Sequence, residues 1–400
     1  FKQKTAYEIR LSLVGSEMCI RDSCEVLVVG AGITGALLGY MLARRGVSCI
    51  LLDKRVPGQG STAASTGLLQ YEIDTPLVEL IGHVGLAHAV HAYRRGITAI
   101  EELEALAEEL GRDECQFTRR NSLYYASNDQ DARDLVEEYE CRAAHGLPVQ
   151  LLKGKILRDL TSIPTPAAIH SRGNAEVNPL AFTRRLLERA IELGVRIFGK
   201  TTVDRVDVDA SQAIAQGSPS QGAEFRITAR TVIHATGYEV HELLGRNPGQ
   251  LHSTYALASE PLASRDGWPE GCIFWETARP YFYGRLSHDG RAILGGGDTP
   301  GHDDHEDAER IARKVEKLET RWREMFPAIE LKTACVWAGT FAETTDGLAY
   351  IGAVPGKPRT YAALGYGGNG ITFAAIAAKL LTSLILGEPN DDAPVFAFER

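Results

Sequence analysis

No C-x-x-C pair occurs in this sequence, and its seven cysteines (Cys19, Cys24, Cys49, Cys115, Cys141, Cys272 and Cys335) are odd in number. Both facts argue against a zinc cluster or a disulfide framework and for a reducing, cytoplasmic compartment. An excess of positive charge is also missing: 43 basic residues face 52 acidic ones, a net charge of -9. A phosphate-backbone binder needs the opposite balance, so no nucleic-acid partner is expected. No stretch is apolar enough to span a bilayer. Residues 371–386 come nearest, but Lys379, Thr372, Thr382 and Ser383 interrupt them, and they read as a buried helix. Regularly spaced metal ligands are absent too. The run His302-Asp-Asp-His305-Glu-Asp307 precedes a helical pattern, where acids favour the helix start, so no metal is expected.

What is abundant is glycine, 40 of 400 residues, which points to tight turns and close backbone approaches. The length suits two domains. Residues 1–23 (FKQKTAYEIRLSLVGSEMCIRDS) fit no element downstream and lack the basic start and apolar stretch of a secretory signal. The string resembles a translated sequencing-adapter read-through, and a natural polar extension is the alternative. The fold is therefore expected to begin at Cys24, with 1–23 a non-native or disordered extension.

Residues 25–30 (EVLVVG) read as a strand, followed by a helix to about Arg45 and a second strand over 47–53 (VSCILLD). This β-turn-α-β unit implies a parallel sheet with a right-handed crossover. Residues 77–110 are helical by spacing, with Glu101, Glu102, Glu104, Glu108 and Glu109 on a solvated face. Residues 122–127 read as a strand and 130–145 as a helix. Asn178-Pro179 opens another helix. The polar segment 212–222 reads as a hairpin tip between strands 202–208 and 224–228, and 231–235 (TVIHA) as a separate buried strand. Residues 251–297 alternate apolar and polar types and are rich in Tyr, Phe and Trp, as in antiparallel sheet. A helix is expected over 303–326, then a strand, a glycine-rich turn and a last helix.

At Gly30, Gly32 and Gly35 a G-x-G-x-x-G, with Ile33 and Thr34 inside it, sits between the first strand and its helix. The first glycine makes the turn, the second lets a pyrophosphate touch the backbone, and the third lets helix and strand pack closely. The helix N-terminus supplies unpaired N–H groups to the phosphates. Asp53, at the end of the second strand, stands where an acid hydrogen-bonds a ribose hydroxyl. Lys54 and Arg55 beside it keep a phosphate-tolerant reading open. This motif alone does not separate a nicotinamide from a flavin dinucleotide.

Three further segments do. Gly60-Ser61-Thr62-Ala-Ala-Ser65-Thr66-Gly67 follows the second strand, Ala235-Thr236-Gly237 ends a late one, and Gly365-Tyr-Gly367-Gly368-Asn369-Gly370-Ile371-Thr372 precedes the last helix. With the first motif, these resemble the D-amino-acid oxidase-like family of FAD-dependent oxidoreductases, which includes glycine and sarcosine oxidases. The resemblance runs from Cys24 to the C-terminus. It implies an α/β architecture: a Rossmann-like FAD-binding domain with a parallel sheet (24–110, 175–245 and 336–400), interleaved with an antiparallel-sheet α+β substrate domain (111–174 and 246–335). It implies FAD with its ADP on Gly30–Gly35 and Asp53, and adenine beside Val203. It also implies pyrophosphate and flavin against the Ser61, Thr62, Ser65 and Thr66 loop, and the flavin N1/O2 edge at the turn of residues 367–372. A positive helix end there raises the flavin's electron affinity.

The resemblance further implies hydride removal from the C–H next to nitrogen, or oxygen, of a small amine, N-substituted amino acid or hydroxy acid. Dioxygen or a quinone would take the electrons. Tyr281, Tyr283 and Arg285 alternate onto one face of a strand and are candidates to orient the substrate. Glycine oxidase-like members carry an arginine after the W-A-G-x run; here Trp337-Ala-Gly-Thr is followed by Phe341, which cannot clamp a carboxylate. Glu343 nearby suits a cation instead. In sarcosine oxidase-like members a Cys-x-aromatic cysteine bonds the flavin, and Cys335-Val-Trp337 matches that pattern. No catalytic acid or base is named, because an amine that arrives neutral needs none. Two alternatives use less of the pattern: an NAD(P)-dependent dehydrogenase, and a flavoprotein subunit without turnover.

Overall fold

A computed structural model describes residues 21–220, 223–239, 249–301 and 307–400. Two sheets organise them. The first is a largely parallel, Rossmann-like sheet with strand order Tyr350–Ala353, Thr360–Leu364, Phe225–His234, Arg21–Val29, Cys49–Leu52 and Arg196–Phe198. The central strand is buried on both faces, with Val26, Leu27 and Val28 at 1%, 0% and 0% exposure, so its sequence runs continuously apolar instead of alternating. Helix Ile33–Arg44 and the last helix, Gly370–Leu386, pack together on one face. The last helix is buried almost all round, from Ile371 to Leu381, and Lys379 reaches out to Glu102. Among the described residues no helix is long and apolar enough to cross a membrane.

The second sheet is mixed and follows the order Thr333–Thr344, Gly249–Pro261, Arg291–Pro300, Phe282–Leu286, Ile273–Glu276, Thr118–Tyr125, Ala167–Glu176 and Leu68–Leu69. Most neighbours are antiparallel, as the alternation predicts. Ile273–Glu276 and Thr118–Tyr125 are the exception and run parallel. Helix Ala308–Met325 covers the outer face of this sheet through Val315, Leu318, Trp322 and Met325, which join Trp268, Phe274 and Phe326 in an aromatic core.

Several boundaries differ from expectation. The first strand begins at Arg21, inside the segment set apart as 1–23, and Asp22 pairs with Arg196 at 2.5 Å. Residues 1–20, and the rest of that expectation, lie outside the described residues. Residues 213–219 are not a hairpin tip but a strand, Ala213–Pro219, paired with Thr201–Val208 and with the first half of Phe225–His234. Its polar residues hide a buried alternation of Ala213, Ala215 and Gly217. The 231–235 strand is the end of that longer Phe225–His234 strand. Gly85, at φ 80°, splits the 77–110 segment into helices Leu77–Val84 and Leu86–Leu110. On the second helix Glu102, Glu104 and Glu109 are tied to Arg95, Arg119 and Arg44. The expected domain boundary at 336 falls inside Thr333–Thr344, which belongs wholly to the mixed sheet. Leu68–Leu69, placed in the dinucleotide domain by the sequence, also joins that sheet.

Candidate active site

The dinucleotide side is shaped by backbone. A side chain on Gly30 would strike the Ala235 carbonyl, and one on Gly35 would strike the Gly30 carbonyl oxygen. Helix Ile33–Arg44 can therefore approach the strand only with glycine at both positions. Thr62 Oγ1 accepts the Ile33 N–H at 3.0 Å and lies 3.0 Å from where a Gly32 side chain would begin. The Asp53 carboxylate accepts the Ala31 N–H and the Arg55 N–H, both at 2.8 Å. Burial raises its pKa, against the pull of those two donors. Lys54 and Arg55 both ion-pair with Glu239, which occupies the cations that kept a 2′-phosphate reading open. The Asp53 carbonyl accepts the Thr201 N–H at 2.8 Å, and this link sets the strand carrying Val203 beside the second strand.

The third glycine turn is bound to the loop before Leu77–Val84. Asn369 donates to the carbonyls of Gln70 and Glu72 at 3.2 and 2.8 Å, and Thr372 donates to Gln70 at 3.1 Å. The Gly368 N–H is taken by the Asp74 carboxylate at 2.6 Å. Thr34 and Tyr366 share a hydrogen bond at 3.3 Å, joining the first motif to the third. All three glycine segments thus converge, and Gly237 stands near Ser61. Cradles that a Cβ would fill, two helix N-termini and a carboxylate at the strand end fit an extended dinucleotide such as FAD.

Between this floor and the mixed sheet lies a cleft open to solvent. Ser61, Ser65, Thr66, Gly237, Gly365, Gly367, Gly368, Gly370 and Ile371 line its floor. The roof is aromatic: Trp275, Tyr281 and Tyr283 from neighbouring strands, with Trp337 and Phe341 at the side. Tyr124 stacks on Trp275 at 3.8 Å between ring centres, and Trp337 donates to the Ala64 carbonyl at 2.9 Å, so these rings are held. Two carboxylates line the cleft, Asp74 and Asp298. Among the described residues no lysine, arginine or histidine lines it.

The structure brings Tyr281 and Tyr283 into the site as the alternation predicts, but not Arg285. Its guanidinium is covered by the 61–67 loop, donating to the carbonyls of Thr66 and Val177 and lying 3.7 Å from Glu176. Burial lowers its pKa. Alternation put Arg285 on the correct face; the loop lying over that end of the strand closes it off. Glu343 sits beyond the lining at the mouth, 3.6 Å from His252, its pKa raised by burial and by Asp74. Cys335 is exposed near the start of its strand and does not line the cleft. Residues 302–306, including the His302 and His305 considered for metal, lie outside the described residues. Among the described residues no cluster of metal ligands occurs.

Sequence reasoning missed Asp298, Thr254, Asp74 and Trp275. Asp298 had a signal: Gly295-Gly296-Gly297 precedes it in an alternating strand. The pairing with Gly249–Pro261 slips by one residue there, from Tyr255 opposite Gly296 to Ser253 opposite Thr299. This is a bulge, with Gly296 and Gly297 at φ 139° and 69°, and bulges re-aim side chains. Burial raises the Asp298 pKa to about 6, while a hydrogen bond from Thr254 lowers it.

A family model described as "FAD dependent oxidoreductase" matches residues 25–384. Glycine oxidase of Geobacillus kaustophilus is 26% identical over 375 residues, covering 90% of this chain and 92% of that protein. Gamma-glutamylputrescine oxidoreductase of Escherichia coli is 26% identical over 380 residues, covering 92% and 84%. The crystal structure of glycine oxidase from Geobacillus kaustophilus superposes with a TM-score of 0.79 at 22% identity, covering 95% of this chain and 99% of that one.

Proposed function

The chain belongs to the FAD-dependent oxidoreductase family, and from that premise we propose that it oxidises a small amine at the C–H next to nitrogen, giving an imine. Family membership removes the NAD(P) alternative. The observation that supports an amine is the lining of the cleft. It offers rings, hydroxyls and two carboxylates, and among the described residues no basic side chain. A free carboxylate on the substrate would meet Asp74 and Asp298 without a guanidinium to receive it.

FAD, when bound, supplies the acceptor for a hydride and its electron pair. The protein's part is placement and exclusion of water. Phe341, Trp337 and Trp275 wall the cleft, and Tyr281 and Tyr283 are placed to orient the substrate from the roof. The Tyr281 hydroxyl donates to the Asp74 carbonyl at 3.2 Å, which fixes the ring against the loop. Burial holds both tyrosine hydroxyls protonated at neutral pH. Glu343, at the mouth, gives an arriving cation a favourable approach. Dioxygen or a quinone is the electron acceptor.

The test is an anaerobic screen of amines, N-substituted amino acids and hydroxy acids for bleaching of the flavin band. Amines are expected to bleach it fastest. Glycine and D-alanine should bleach it slowly, and fast reduction by either would assign the clamp to Arg279 at the mouth. Bleaching by hydroxy acids alone would overturn the amine reading. Oxygen uptake with a bleaching substrate separates dioxygen from quinone.

A further inference from the structure

We propose that Asp298, together with the rings of Trp275, Tyr281 and Tyr283, forms a cage for a nitrogen cation, so that the enzyme takes positively charged amines without a neighbouring carboxylate; the held nitrogen passes one proton to the Asp298 carboxylate before the C–H beside it gives up its hydride, which leaves an iminium. The proposal rests on the amine reading above and deepens it by naming what holds the nitrogen. Four observations carry it. One oxygen of Asp298, Oδ1, is buried without a hydrogen-bond partner, an expensive state unless something arrives to meet it. The rings of Trp275, Tyr281 and Tyr283 line the same cleft as Asp298, and aromatic faces attract cations through their quadrupoles.

Third, the position is built. The glycine bulge that re-aims Asp298 is fixed from two sides: the Gly297 N–H donates to the Tyr281 carbonyl at 3.2 Å, and Lys314 on the outer helix donates to the Gly297 carbonyl. Fourth, the nearby cations face other partners. Arg279 stacks on the Tyr281 ring at 3.6 Å and donates to the Asp74 carbonyl at 2.7 Å. His252 stacks on Phe341, with ring centres 5.4 Å apart, and faces Glu343. One face of the Tyr281 ring is thus taken by Arg279 and the other is left for a ligand, and among the described residues no protein cation stands in the lining itself.

The experiment is calorimetric titration of the flavin-loaded protein with tetramethylammonium chloride, and separately with sodium acetate, at constant ionic strength. Tetramethylammonium has no lone pair and cannot be oxidised as an amine, so binding is read without turnover. The expected result is that tetramethylammonium binds, that acetate does not, and that Asp298→Asn weakens tetramethylammonium about tenfold or more. Should Asp298→Asn fail to fold, the wild-type protein gives a second reading. Binding should fall as pH drops through about 6. Asp298 faces Asp74, His252, Lys314 and the Tyr283 phenol; a proton gained by either carboxylate or by the imidazole weakens a cation alike, so the fall must persist in His252→Gln to belong to the carboxylates. No binding by the wild type, equal binding by the Asn variant, or tighter binding of acetate would each overturn the cage. Amines that bleach flavin without tetramethylammonium binding would leave amine oxidation standing and remove the cage. Binding without bleaching by any amine would do the reverse.

Discussion

Asp53 and Asp298 are both largely buried carboxylates with raised pKa values, one on each side of the cleft. They are solvated in opposite ways. Asp53 is met by two backbone N–H groups from its own β-turn-α-β unit. Asp298 is met by the Thr254 side chain and keeps one buried oxygen unpaired. The difference holds across the molecule. The dinucleotide side is made of main chain and absent side chains, whereas the roof is made of side chains carried by five strands. The first kind of site is rigid and general; the second is open to change and sets selectivity.

The largest contrast should come from adding one methyl group to each side. Gly35→Ala would press Cβ into the Gly30 carbonyl, which is backbone and has nowhere to go. Purified protein should lose its flavin band or fail to fold. Gly295→Ala meets the end of the Tyr283 ring, which can turn. That variant should keep flavin and lose substrate affinity, and loss of flavin in it would break the comparison.

Next in size is Arg285→Ala. It would leave Glu176, buried and otherwise paired with Arg120 at 2.8 Å, short of one guanidinium. A loss of about 3 kcal/mol in denaturant unfolding is expected. Because Arg285 holds the 61–67 loop and does not line the cleft, the ranking of amines in the bleaching screen should not change. An altered ranking would place it in the substrate site after all.

Asp53→Ala should weaken FAD by about 1–3 kcal/mol, read from the concentration dependence of flavin binding to apoprotein. Unchanged affinity would show that its two backbone partners are its whole role.

Asp298→Asn is expected to stabilise the protein at pH 8 and to do so less at pH 5. Its folded pKa, about 6, lies above the ordinary carboxyl value of 3.8. The folding stability linked to protonation is complete below the lower value and is lost as pH rises through about 6. At pH 8 the ionised group is therefore a liability that asparagine lacks. Two pKa units correspond to about 3 kcal/mol, and partial contact with water reduces this to about 1–2 kcal/mol. A melting-temperature gain that is equal at both pH values would contradict this account.

The smallest effect is assigned to Cys335→Ala. The residue is exposed and outside the lining, so melting temperature should be unchanged. Acid precipitation of the wild-type protein should release all flavin to the supernatant, and a yellow pellet that turns colourless in Cys335→Ala would show a covalent bond.

The same contrast explains what the sequence discloses. Gly30, Gly32, Gly35 and Asp53 act within one β-turn-α-β unit, so spacing alone identifies them. The 61–67 and 365–372 segments are also local, and their order in the chain carried the family resemblance. Tyr281 and Tyr283 follow from the period of a single strand. Arg285 obeys the same period but is capped by a loop more than 200 residues earlier in the chain, which no local pattern reports. Asp298 and Thr254 meet only because two strands slip by one residue, and the three glycines were the sole local sign. The Ala213–Pro219 strand was obscured because its buried side consists of small residues, which composition reads as a turn.

The pairing of Leu68–Leu69 and Thr333–Thr344 into the roof has a consequence for dissection of the molecule. The backbone leaves the dinucleotide half for the roof directly after the 61–67 loop, comes back for the strands from Arg196–Phe198 to Phe225–His234, crosses to the roof again with Gly249–Pro261, and returns directly after the strand that carries Trp337 and Phe341. No single cut yields two self-contained pieces, since any fragment keeps strands whose neighbours lie on the other side of the cut. A nick in an exposed turn should leave the halves associated, and the two sheets should melt in one transition. A circular permutant opened at such a turn would keep every strand pair and remain whole.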